Sequence, residues 1–162
     1  MTHHEIFSEK NSLDENMLKE FCDKANLQYN LIDLDNLVNV KSRFSFIFTG
    51  NEKNNINKGH DHHWIFLDGK NIFDSYGVKN SYQLPSNFEI LTNHPRQLQE
   101  YNSTVCGEYC CAFYYFIAKN KELSPQEIGE EFSDYFGFTK DKLENDKIVF
   151  NWFKQFTNEE NK

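Results

Sequence analysis

The chain has 162 residues, enough for one compact domain with a core that folds without disulfide or metal staples. Its 16 Phe, 8 Tyr and 2 Trp, set against 3 Pro and 7 Gly, mark a packed, Phe-rich globule and argue against a disordered chain. Twenty-five acidic against 17 basic side chains give a formal net charge of −8, which repels phosphate backbones and argues against strong nucleic-acid binding.

Residues 13–25 follow a helical period. Met17, Leu18, Phe21, Cys22 and Ala25 recur at three and four, after a Ser12/Glu15 pair with capping-box spacing, so the helix is amphipathic with Cys22 on its buried face. Leu31 to Leu34 and Leu37-Val38 read as a short apolar connection. Phe44 to Phe48 reads as a strand, being aromatic and β-branched, and Gly50 closes it. The polar stretch 51–61 has turn chemistry and is expected to be a mobile loop. Two apolar runs, Trp64 to Leu67 and Ile72-Phe73, flank Asp68-Gly69, a dipeptide that favours a type I′ hairpin turn. Another strand, Phe88 to Leu91, follows Pro85-Ser86-Asn87.

From Cys106 to Lys119 the sequence is apolar almost all round, as in a helix buried mid-domain that begins near Ser103-Thr104. Ser124 at the N-cap, Pro125 at the first helical position and Glu127 at N3 start another helix, which runs to about Phe136 before Gly137. A last helix, about 141–156, carries Ile148, Val149, Trp152, Phe153 and Phe156 on one face, ahead of a fraying tail. No run is apolar enough to cross a bilayer, and the start Met1-Thr2-His3-His4-Glu5 has no signal-like stretch, so a soluble, non-secreted protein is expected. Cysteines at 22, 106, 110 and 111 lack the spacing of a disulfide framework or zinc ribbon, and reduced thiols are expected. The fold expectation is one α+β domain, a small antiparallel sheet packed on the buried helix that starts at Cys106, with other helices outside.

With Asp68 and Gly69 as turn residues, antiparallel pairing sets 67 opposite 70, 65 opposite 72 and His63 opposite Asp74. Opposed Cβ atoms lie about 5 Å apart, close enough for a carboxylate to accept from an imidazole. Such a carboxylate fixes the ring's tautomer and stabilises its protonated form, which suits a general base. Cys106, at a helix N-terminus, is the candidate nucleophile, since the helix dipole and a nearby imidazolium favour a thiolate. Gly107 lets a substrate backbone approach closely. The plainer readings are a surface His–Asp pair and a core cysteine. A metal site is a further alternative, with His60 and His62 alternating along an extended chain and Cys110 or Cys111 joining them, although no second spaced ligand pair exists. His94, before Pro95, reads as a turn residue.

At Gly59-His60-Asp61-His62-His63-Trp64, at Phe73-Asp74-Ser75-Tyr76-Gly77 and from Gln99 through Cys106-Gly107-Glu108-Tyr109-Cys110, the chain resembles the adenovirus-type cysteine proteases. It is similar also to the maturation proteases of virophages and Polinton-type mobile elements, over roughly residues 44–118. The resemblance implies a papain-like catalytic arrangement with Cys106 as nucleophile, His63 as general base and Asp74 as its orienter. It further implies Gln99, seven residues before the cysteine, as an oxyanion donor together with the Cys106 backbone N–H, with Gln97 as the competing assignment. Trp64 and Gly107 are implied to contact substrate. The implied partners are polypeptides, namely capsid or core precursor proteins often cut next to glycine, and an activating peptide is left open. No cofactor or membrane is implied, a monomer is expected, and the location would be the virion and the infected cell. DNA activation does not carry over to a chain this acidic. The SUMO and ubiquitin-like proteases share the His, acid, Gln, Cys order, so a deconjugating enzyme is the alternative, and a catalytically inert capsid-associated module is another.

Overall fold

The computed structural model describes residues 13–49, 63–76, 84–91, 97–99 and 103–158. The expected loop 51–61, His60, His62, His94 and the tail beyond Asn158 lie outside the described residues. Four α-helices are described: α1 (Glu15–Ala25), α2 (Cys106–Lys119), α3 (Pro125–Phe136) and α4 (Lys142–Asn158). Five strands accompany them: β1 (Leu31–Asp33), β2 (Phe44–Phe48), β3 (Trp64–Asp68), β4 (Asn71–Phe73) and β5 (Glu89–Ile90). The protein is thus α+β.

The helices start where side chains satisfy the free amides of the first turn. Asp14 accepts from the Met17 N–H at 2.9 Å, so α1 begins at Glu15 rather than at residue 13. Asn26 then ends α1 in the left-handed conformation, at φ 57°. Leu18, Phe21 and Cys22 are buried, whereas Met17 is exposed. At α3 the expected capping box is present, with the Ser124 N–H donating to Glu127 Oε1 at 2.9 Å. Gly137 ends α3 with φ 77°.

The sheet runs β1-β2-β3-β4-β5. It is mixed rather than antiparallel: β2–β3 and β3–β4 pair antiparallel, while β1–β2 and β4–β5 pair parallel. The stretch read as a connection at 31–38 is instead strand β1 followed by a 3-10 helix, Leu34–Asn39. The β3–β4 turn also departs from expectation. Asp68 is not a turn residue but pairs with Asn71, which leaves Gly69 and Lys70 in the turn. Gly69 has φ 66° and Lys70 has not a positive φ, a pattern that fits type II′ rather than I′. Asp68 is kept in the strand by Arg43, whose Nε donates to Asp68 Oδ1 at 2.8 Å, and the Gly69 N–H donates to the Arg43 carbonyl at 2.8 Å.

The two faces of the sheet bury different residues, as alternation along a strand requires. Phe46, Phe66 and Phe73 face α2 and join an aromatic core with Tyr109, Phe113 and Phe132. Ile47, Ile65, Leu67 and Ile72 face the other way, under Leu37 of the 3-10 helix and Phe88. Nearly all of α2 is buried, so its first residue is fixed against the sheet.

Candidate active site

Cys106 is the first residue of α2, with Val105 at the N-cap and no side-chain cap. The amide groups that start a helix have no intrahelical partner, so they are available there to an anion. Cys106 is 3 % exposed, and its Sγ accepts from the Trp64 backbone N–H at 3.3 Å. Strand β3 therefore touches the sulfur through its first residue.

His63 precedes that strand. Its carbonyl accepts from the Thr49 N–H at 2.9 Å and from Thr49 Oγ1 at 3.1 Å, which anchors it to the end of β2. The ring is buried, and Nε2 donates to Asp74 Oδ1 at 2.7 Å. The pairing does not come from direct opposition. With Asp68 opposite Asn71, Asp74 falls opposite Ile65 if the register is continued, and the two side chains meet diagonally. Tyr76 stacks on the imidazole, with ring centroids 4.4 Å apart and planes 17° apart. Asp74 Oδ1 also accepts from the Tyr76 N–H at 2.9 Å, which holds that ring in place.

Burial opposes the charged imidazolium, but the Asp74 carboxylate and its hydrogen bond, followed by Cys106, outweigh it and raise the His63 pKa from 6.5 to about 10. Because the carboxylate only accepts, Nε2 carries a proton in either charge state. Nδ1 is buried and has no partner of ordinary hydrogen-bond geometry, although Cys106 is near enough to act on the ring's charge. His63, Asp74 and Cys106 are thus brought together.

Gln99 is fully buried. Its Nε2 donates to the Ser103 carbonyl at 3.1 Å and to Ser103 Oγ at 2.9 Å, while its Oε1 accepts from Ser75 Oγ. A backbone carbonyl can only accept, so the amide's orientation is fixed. Both amide hydrogens are directed at Ser103, three residues before Cys106. Gln97, the competing residue, donates from Nε2 to the Gln99 carbonyl at 2.6 Å.

Trp64 is buried against Phe48, at 4.8 Å between centroids, and its Nε1 donates to the Leu13 carbonyl at 2.8 Å. Gly107 is likewise buried, and the close approach it permits is made by Leu13: a Cβ on Gly107 would lie 3.0 Å from Leu13 Cβ. All four cysteines are buried, and none is in a disulfide. Burial, then Asp23, pushes the Cys22 thiol up to about 12, and burial raises Cys110 and Cys111 well above the usual thiol range. Among the described residues no cluster of three His, Cys, Asp or Glu could hold a metal ion, and no helix is long and apolar enough to cross a membrane.

Sequence reasoning met Ser75 and Tyr76 only inside a motif and Ser103 only at a helix start, and gave none of them, nor Leu13, a role in the site. Ser75 and Tyr76 carried a signal, because they directly follow Asp74. Ser103 carried one too, since a polar residue beside a buried helix start needs a partner. Leu13 had none, being distant in sequence from Trp64 and Gly107, against which it lies. No family model, curated protein or solved structure gives a match to this chain.

Proposed function

We propose that this protein is a cysteine endopeptidase with a papain-like arrangement, in which Cys106 is the nucleophile, His63 the acid–base and Asp74 its orienter. The observation that carries the reading is the buried His63–Asp74 hydrogen bond at 2.7 Å beside a cysteine that opens a buried helix. Burial separates the pair from a surface ion pair, and the Trp64 N–H bond to Cys106 Sγ beside the imidazole supports a chemical role for the thiol.

In the proposed reaction the Cys106 thiolate attacks the scissile carbonyl carbon, and the carbonyl electron pair moves to oxygen. The Cys106 backbone N–H meets that oxyanion, joined by Gln99 as one of its two contacts with Ser103 is released. Collapse expels the amine, which takes its proton from the His63 imidazolium. Water then attacks the thioester, with neutral His63 removing its proton, and the thiolate leaves. Stacked Tyr76 and bonded Asp74 keep the ring from turning away between the two steps.

The motifs shared with adenovirus-type and virophage proteases favour capsid or core precursor proteins as substrates, cleaved during particle maturation within infected cells and virions. Hydrolysis of Gly-containing precursor peptides and of ubiquitin-like Gly-Gly conjugates, with wild type beside Cys106→Ala, tests this. Peptide cleavage lost in the variant is the expected result. Preference for conjugates would replace it with deconjugation, and turnover retained by Cys106→Ala would remove Cys106 from the chemistry.

A further inference from the structure

Two fully buried polar residues near the start of α4, Asn145 and Asp146, lie far in sequence from the proposed chemistry. They occupy the helix face that continues into Val149 and Phe153, where apolar residues would pack more cheaply. Asn145 Nδ2 donates to the Leu98 carbonyl at 3.2 Å and to the Thr139 carbonyl at 2.7 Å. Asp146 Oδ1 accepts from Tyr109 Oη at 2.8 Å, and the same hydroxyl lies 3.2 Å from the Leu98 carbonyl. Burial first, then Asp146, raises the Tyr109 pKa well above its usual value, so the phenol remains a donor. From the opposite side, the Leu98 and Gln99 N–H groups both donate to the Ser75 carbonyl, at 2.8 and 3.2 Å.

The segment 98–99 is therefore gripped on both sides: Asn145 of α4 holds its carbonyl, with the single Tyr109 hydroxyl hydrogen shared between that carbonyl and Asp146, and the residue after Asp74 holds its amides. We infer that Tyr109, Asn145 and Asp146 are positioning residues that fasten the Leu98–Gln99 backbone, so that the C-terminal helix sets where the Gln99 amide stands relative to Cys106. This rests on the protease reading above and adds residues to it. None of the three reaches the reacting atoms; Asn145 and Tyr109 act through Leu98, and Asp146 acts through Tyr109. The grip fixes the place of an oxyanion donor and leaves the thiol and the imidazole untouched, so its loss falls on the transition state rather than on the nucleophile.

The test uses the full chain with Tyr109→Phe, which deletes one hydroxyl. It adds the double variant Tyr109→Phe with Asp146→Leu, which avoids stranding a buried carboxylate if the single variant folds poorly. Peptide kcat and KM are measured beside the iodoacetamide alkylation rate of Cys106, a reaction that forms no oxyanion. The expected result is a kcat lower by about 10- to 100-fold, with KM and the alkylation rate unchanged. A kcat within about twofold of an active wild type overturns the inference alone. Alkylation falling in step with kcat also overturns it, since that marks a general loosening of the site. A wild type that labels rapidly at Cys106 yet hydrolyses no peptide overturns the protease reading, and the inference with it.

Discussion

On the His63 ring two effects of opposite sign act on one proton: burial works to remove it, and Asp74 with Cys106 works to keep it. The second wins and lifts the pKa to about 10, which fixes the sign of the pH dependence. Below pH 6.5 the ring is protonated in folded and unfolded chains alike, and its contribution to stability is complete. As pH rises through the folded value near 10, the unfolded chain has already released the proton and the contribution is lost. The destabilisation caused by Asp74→Asn is thus expected to be largest below pH 6.5 and to shrink towards pH 10; thermal midpoints of both proteins across that range check it, and a penalty growing with pH would contradict it. The residue types of the candidate site were legible in the sequence, since a histidine before a hairpin, an acid after it and a cysteine at a helix start are each visible locally. The partners of Gln99 were not legible. They depend on how Ser75 and Ser103 approach one another across the fold, which no local pattern encodes.

Among the elements, those with strong local signals matched the expectation. Cys106–Lys119 and Phe44–Phe48 have the expected bounds, because an all-round apolar run and an aromatic strand between polar ends leave little freedom. Strand β1 escaped notice: three residues are too few for a visible alternation, and its partner β2 lies parallel across a 3-10 helix. The hairpin was located correctly but its register was not. The preference of Asp-Gly for a type I′ turn yields to the Arg43–Asp68 contact, a tertiary interaction that keeps Asp68 in the strand. Gly69 nevertheless retains its role. At φ 66°, with no atom within 4 Å of where a Cβ would stand, Gly69→Ala suffers backbone strain and no clash. It is expected to cost about 1 kcal/mol, read as a lower urea midpoint at unchanged slope.

Across the whole molecule, stability concentrates on the aromatic side of the sheet. Phe73 and Phe113 stack with centroids 4.3 Å apart, and Phe132 meets them edge-on at 5.5 and 5.3 Å. Phe113→Ala, which opens this cluster between sheet and helix, is expected to cost about 3–5 kcal/mol. That is a large share of a domain's usual stability of roughly 5–15 kcal/mol, and calorimetry of the variant checks it. The abundance of Phe foretold such a core, whereas the division into an aromatic face and an aliphatic face required the sheet to be seen. The order of the strands has another consequence. Both margins of the sheet are short, β1 with 3 residues and β5 with 2, while His63 and Asp74 flank the central hairpin that the margins enclose. Solvent therefore reaches the backbone from the outside inwards. Local fraying at the rims is thus expected to leave the imidazole facing its carboxylate, and faster amide exchange in β1 and β5 than in β3 checks it.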